Sequence, residues 1–171
     1  MSIYIFFTFI LSYLLFSISK EDIKTMLISE SKLRILAVSG ILYLLFLGFS
    51  NSNINTIDLI INNVIAMLFI FITMYLISFT SYKITRINSL GWGDIKLSSI
   101  SSIWLGFEFV FLSLCISFLL SSFYAIYGKI TKRLKTLDQY PFTPFLSIGI
   151  FCSWLLDKIL IFYSLSRLKG Y

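Results

Sequence analysis

Two aspartates occupy positions where an acid needs a reason. Asp94 lies in Gly91-Trp92-Gly93-Asp94-Ile95-Lys96-Leu97 and Asp22 in Glu21-Asp22-Ile23-Lys24, each where a basic connector meets a long apolar run. An acid at the mouth of a membrane helix is costly to keep and calls for a partner or a function. When two carboxylates share a site, like-charge repulsion lets one ionise while the other keeps its proton. The ionised member can take a proton from a water attacking a peptide carbonyl. The protonated member can polarise that carbonyl and later help protonate the amine. Such a dyad titrates as a pair, so neither role belongs to one residue on these grounds.

The other candidates are weaker. Asp138 lies in a Lys-rich loop, and Asp157 falls near the opposite membrane face. The sequence has no His and only Cys115 and Cys152, each inside an apolar run, so neither zinc-ligand spacing nor a disulfide framework is present. Both cysteines read as small fillers at lipid depth or in the core. No cofactor and no metal are expected. Gly91 and Gly93 permit torsions and close approaches closed to other residues, so a substrate backbone could lie against them. The structural alternative is that they only turn the chain into a helix whose N-terminal dipole favours Asp94.

The elements that must position these acids follow from composition. The chain has 171 residues, 58% hydrophobic and only 13% charged, far on the apolar side of soluble usage. At about 20 residues per span there is room for about six helices and short loops, in one domain over 1–171. The formal charge of +6 does not indicate nucleic acid, because the Lys and Arg sit in short clusters between apolar runs rather than on an extended basic surface.

The expected fold is an all-α polytopic membrane protein. Residues Ser2 to Ile18 form a Phe-rich first span. Its positive charge follows the apolar run instead of preceding it, which favours a retained helix over a cleaved signal. A second span runs from Leu33 to about Phe49, and a Ser- and Asn-rich uncharged loop, Ser50 to Thr56, leads to a third over about Ile57 to Thr80. Asn62 and Asn63 in that span need water or a neighbouring helix to satisfy their amides. From Leu97 the chain is apolar to Tyr127, too long for one upright span and tight for two. It is divided at Gly106-Phe107-Glu108 into a short fourth span and a fifth from about Phe109 to Tyr127. A sixth reaches about Leu165. Pro141 and Pro144 stiffen the approach to it, with Pro144 near its first turn, and Ser147, Gly149 and Ser153 offer small surfaces for close packing.

Of the 14 Lys and Arg, all but Lys158, Arg167 and Lys169 fall in the connectors after spans one, three and five. Six spans with both termini non-cytoplasmic therefore satisfy the positive-inside rule. Two complete spans separate Asp22 from Asp94, so the chain crosses the bilayer and returns, bringing both carboxylates to one face at similar depth.

These features together resemble the type IV prepilin peptidase family, which includes preflagellin peptidases. Asp22-Ile23-Lys24 with Ile28 resembles the first family motif, an aspartate and a basic residue followed by an Ile-Pro pair. Gly91-Trp92-Gly93-Asp94-Ile95-Lys96-Leu97 closely resembles the second, Gly-x-Gly-Asp-x-Lys-Leu. Pro141-Phe142-Thr143-Pro144 resembles the Pro-Phe-Gly-Pro segment before the last helix. The resemblance implies catalytic roles for Asp22 and Asp94. It also implies cleavage of the leader of prepilin or pseudopilin-like substrates at the cytoplasmic face of a prokaryotic inner membrane, with Gly91, Gly93, Lys24, Lys96, Pro141 and Pro144 as substrate-site or structural support. A paired-Cys N-terminal region that accompanies methyltransferase activity in longer relatives is not seen, so peptidase activity without N-methylation is expected. Two departures stand out: Ser29 replaces the proline after Ile28, which loosens a turn beside Asp22, and Thr143 replaces glycine, which narrows backbone freedom.

Lys24 and Lys96 each follow an aspartate by two, a spacing that points the side chains to different sides of a helix. They read as headgroup contacts or as partners of the other Asp. Trp92, Tyr82, Tyr127 and Tyr140 suit an interfacial aromatic belt, and of these Trp92 is the candidate for lining the substrate site. The expected partners are the leader-bearing substrate and membrane lipid. Competing readings are a non-catalytic multispan transporter or assembly subunit with Asp22 and Asp94 as helix-end charges, and an inactive peptidase relative acting as a binding partner. Inverted repeats and ionisable groups at mid-membrane depth, which a transporter would favour, are not found.

Overall fold

The computed structural model describes residues 2–50, 55–86, 90–132 and 140–168. All regular structure there is helical: α1 (Ser2–Thr25), α2 (Glu30–Ser50), α3 (Thr56–Thr85), α4 (Trp92–Ile130) and α5 (Thr143–Leu168). All five are long and apolar enough to cross a membrane. The bounds follow local chemistry. Asn55 caps α3 by accepting from the Ile57 N–H at 3.2 Å, as a short polar side chain at that position does. Arg86 closes the same helix in the left-handed conformation, its N–H donating to the Tyr82 carbonyl at 2.9 Å. Of the expected loops, Asn51 to Ile54 and the stretch with Arg133, Lys135 and Asp138 lie outside the described residues.

α4 has 39 residues and would measure about 58 Å if straight. It is not straight, because Gly106 has φ 72° and ψ 179°, a combination open to glycine and closed to residues with a Cβ. Contacts with α5 show what the bend achieves. Between Asp94 and Trp104 the facing residue on α5 advances from Thr143 to Trp154. Beyond Gly106 it retreats: Ser113 and Ser117 meet Gly149, Phe118 meets Phe142 and Ser121 meets Tyr140. The chain thus reverses direction at Gly106, and α4 is a hairpin of two limbs, 92–105 and 107–130. The reversal falls in the expected break, with Glu108 exposed at its tip. Asn63 donates to the Ile103 carbonyl at 3.1 Å, so a neighbouring helix is what satisfies this amide.

The core is aromatic and joins four helices. Tyr43 of α2 stacks on Trp104 of α4 with centroids 5.7 Å apart and meets Trp154 of α5 edge-on at 4.9 Å, while Phe7 of α1 closes on Tyr43 at 5.2 Å. Both indoles find the acceptor that a buried N–H requires: Trp104 donates to the Leu36 carbonyl and Trp154 to the Thr8 hydroxyl, each at 2.9 Å. Gly40 makes room, since a Cβ there would sit 2.7 Å from the Trp104 indole nitrogen. Elsewhere the bundle is turned inside out relative to a soluble globule, with Phe9, Tyr13, Phe16 and Phe123 facing outward. An apolar exterior of this kind suits a membrane protein.

α5 is held against the second limb of α4 by small residues. A Cβ on Gly149 would meet the Ser117 hydroxyl at 2.2 Å and the Ser113 carbonyl oxygen at 2.4 Å. The Ser113 and Ser117 hydroxyls turn back onto carbonyls of their own helix, which lets polar residues lie in a tight interface. On its other side α5 meets α1, where Ser19 donates to Ser147 at 2.8 Å.

Candidate active site

Asp22 stands in the last turn of α1 and Asp94 in the first turn of α4, 5% and 8% exposed. The start of α5 brings a third group between them. The Thr143 backbone N–H donates to Asp22 Oδ2 at 3.3 Å, and its hydroxyl donates to Asp94 Oδ1 at 2.7 Å. One residue therefore holds both carboxylates.

The availability of that N–H follows from local sequence. The first N–H groups of a helix have no intrahelical acceptor. In α5 the Pro144 nitrogen carries no hydrogen, and Phe145 and Leu146 both donate to the Phe142 carbonyl, so the N–H of Thr143 is left for Asp22. Pro144 lies in the first turn as expected, and Pro141 precedes the helix. Both carboxylates lie by helix N-termini, Asp94 in the first turn of α4 and Asp22 against the first turn of α5, where the helix dipole favours negative charge.

Lys96 and Lys32 are engaged elsewhere. Lys96 pairs with Glu30 at the start of α2 rather than with Asp94 or Asp22. Lys32 pairs with Glu21 at 3.1 Å and also donates to the Ser17 carbonyl at 3.0 Å. Lys24 is exposed on the last turn of α1. Among the described residues no ion pair includes Asp22 or Asp94. Asp157 pairs with Lys158 beside Trp154, at the end of the bundle away from the two aspartates.

Gly91 and Gly93 are needed for space rather than for torsion. Gly91, just ahead of α4, has φ −70° and ψ 148°, which any residue can adopt. A Cβ there would lie 3.3 Å from Asp94 Oδ2, and one on Gly93 would lie 2.8 Å from Ile28 Cδ1 and 3.0 Å from Ile28 Cβ. The glycines thus admit the α1–α2 loop beside Asp94 and let the Gly91 backbone lie close to its carboxylate. Ser29 in that loop has an N–H that a proline would lack, and it reaches Glu21 at 3.4 Å. With the Thr25 hydroxyl donating to the Glu21 and Leu27 carbonyls, the turn is tied rather than loosened.

The two carboxylates open onto a cleft of about 280 Å³. Met26, Leu27 and Ile28 line it from the α1–α2 loop, Leu33 from α2, and Gly91, Trp92 and Gly93 from the start of α4. An adjoining groove of about 200 Å³ shares Gly91 and Trp92 and runs between α3 and α4 past Tyr75, Phe79 and Tyr82. Trp92, 62% exposed, stands between the two. An apolar cleft with a few convergent acids can take an extended peptide and a water molecule beside the acids.

Sequence reasoning paired Asp22 with Asp94 but missed Thr143 as their common donor, and Glu21 and Glu30 as partners of the lysines. A hydroxyl residue directly before a proline at a helix start was the available signal for the first. The profile of the Type IV leader peptidase family matches residues 9–126, a stretch that includes both aspartates. Neither a curated protein nor a solved structure matches the chain. The matched stretch covers well over half of the 171 residues, and the chain belongs to the type IV leader peptidase family of membrane proteases.

Proposed function

We propose that this chain is an aspartic endopeptidase that removes the leader of prepilin or pseudopilin-like proteins at the cytoplasmic face of a prokaryotic inner membrane, with Asp22 and Asp94 as its catalytic pair. The observation that carries this reading is that Thr143 donates to one oxygen of each carboxylate. Both carboxylates face the cleft, where water and substrate can reach them. The ionised member of the pair accepts a proton from water as its oxygen bonds to the scissile carbonyl carbon, and the protonated member gives its proton to the carbonyl oxygen. When the tetrahedral intermediate collapses, one of its hydroxyls returns a proton to the ionised carboxylate, the C–N bond breaks and the amine leaves with the proton held by the other, which restores the pair. The proposal covers hydrolysis alone, with methyl transfer no part of it.

The topology we propose counts the two limbs of α4 as separate passes, six in all, with both termini on the non-cytoplasmic side. The reversal at Gly106 supports this count, and the basic residues Lys24, Lys32, Arg86 and Lys129 then share the face of the two acids, as the positive-inside rule requires. A substrate helix held in the bilayer presents its leader junction at the depth of that pair, which supplies proximity without further binding surface.

The test is co-expression in membranes with a candidate prepilin-like substrate, followed on a gel for leader removal. Wild type is expected to shorten the substrate, and Asp22→Asn and Asp94→Asn to leave it intact. Equal cleavage by either variant would overturn the two-aspartate mechanism. Failure to shorten any leader-bearing substrate would favour a non-catalytic role.

A further inference from the structure

Thr143 is fully buried and outside the stretch matched by the family profile, at a position where the resembled motif carries glycine. Resting on the two-aspartate reading above, the geometry points to Thr143 as the positioning residue of the pair, its hydroxyl fixing the Asp94 carboxylate relative to an Asp22 held by the same residue's backbone. A glycine would supply only the backbone N–H. Threonine adds the hydroxyl to it.

Several features make this hydroxyl a fixed element. Its 2.7 Å contact with Asp94 Oδ1 is at the preferred length of an O–H···O hydrogen bond. Threonine is β-branched and stiff at χ1. The helix that carries it is anchored one turn later, where Ser147 bonds with Ser19, and again where Gly149 seats against Ser113 and Ser117. Such support holds a reacting group within the tolerance that catalysis demands. Asp94 Oδ2 lies on the side of Gly91, whose backbone also contacts the carboxylate.

Among the described residues the ionisable groups around Asp94 are few. Asp22 faces it from α1; Glu30 from α2 and Lys96 from α4 line the same cleft but pair with each other. Tyr82 of α3 lines the adjoining groove, and the Tyr140 hydroxyl before α5 is engaged with Ser121. The Thr143 hydroxyl is thus a direct means of tuning how readily Asp94 ionises beside Asp22.

The experiment measures leader cleavage by the full chain in liposomes across pH for wild type, Thr143→Ser, Thr143→Val and Thr143→Ala. All three variants keep the N–H on Asp22, and only Ser keeps the donor to Asp94. Ser is expected to stay within about twofold of wild type, while Val and Ala lose about tenfold to a hundredfold in kcat, the span expected for a hydrogen bond to a charged group. KM should change little. The acid limb of the pH–rate profile should move to higher pH, because a carboxylate that has lost a donor holds its proton more tightly. A folded Val or Ala variant with wild-type kcat and pH profile overturns the inference, as does a Ser variant as impaired as Val. If Val fails to fold, the smaller Ala decides. If wild type cleaves no leader, the two-aspartate reading fails and the Thr143 link is read separately by infrared spectroscopy. The carboxyl band lost in Asp94→Asn must shift in Thr143→Val, and an unshifted band overturns the link.

Discussion

Thr143 and Asp94 are joined by a 2.7 Å hydrogen bond across 49 residues of chain. Because the Thr143 N–H also reaches Asp22, the ends of three helices converge on one residue. The arrangement has an electrostatic counterpart in Glu21 and Glu30, which engage Lys32 and Lys96. A cation on either aspartate would favour its ionised form, whereas a proton-sharing pair needs one acid to stay neutral. The two glutamates engage these cations away from the pair.

The two glycines before Asp94 should fail differently. Gly91→Ala places a methyl 3.3 Å from Asp94 Oδ2, so it should slow leader cleavage several-fold with the melting temperature nearly unchanged. Gly93→Ala drives a methyl to 3.0 Å from Ile28 Cβ and must push the α1–α2 loop away, at a cost of about 1–3 kcal/mol as in other overpacked sites. Thermal unfolding in detergent together with a cleavage assay separates the two. A Gly93→Ala protein as stable as wild type would contradict the close approach.

Gly106→Ala tests the hairpin through torsion rather than space. The nearest atom to an added Cβ is Asn63 Oδ1 at 3.6 Å, an ordinary contact, so any loss comes from φ 72° and ψ 179°. The expected destabilisation is about 1–3 kcal/mol, read from unfolding in mixed micelles. Asn63→Leu, which leaves the Ile103 carbonyl without this donor, should cost about 1–3 kcal/mol as an unsatisfied buried acceptor. If Gly106→Ala is neutral, a straightened α4 has replaced the reversal.

Gly149→Ala should impair activity from a distance. Its methyl would meet the Ser117 hydroxyl at 2.2 Å and a backbone oxygen of Ser113 at 2.4 Å, and backbone cannot swing aside as a side chain can. α5 must move off the second limb of α4 and carry Thr143 with it. Loss of cleavage should exceed that of Gly91→Ala, accompanied by a lower melting temperature. Unchanged cleavage would show that the start of α5 is positioned without this interface.

The lysines predict a contrast in stability. The Lys96–Glu30 pair has side chains 42% and 70% exposed, so Lys96→Ala should cost less than about 1 kcal/mol. Lys32, less exposed, both pairs with Glu21 and donates to the Ser17 carbonyl, so Lys32→Ala should cost more. Chemical denaturation of the two variants side by side checks the order, and equal losses would refute it.

The periodicity of apolar runs and basic connectors determined by itself that the chain is a bundle of membrane-length helices, because no water-soluble packing hides so much apolar surface. It also made a meeting of Asp22 and Asp94 possible, since two apolar runs of membrane-spanning length lie between them. Pro144 was legible as a first-turn residue, because its missing N–H and restricted φ have meaning only there. Only the tertiary structure decided what lies between the acids. Thr143 becomes their common donor because the pitch and depth of α5 are set by its contacts with α1 and α4, far from it in the chain, and no local pattern encodes them. The same holds for Lys96, whose partner turned out to be Glu30. Its spacing from Asp94 was visible in the sequence, but a long flexible side chain pairs with whatever acid the packed helices bring near, and that choice is made in three dimensions.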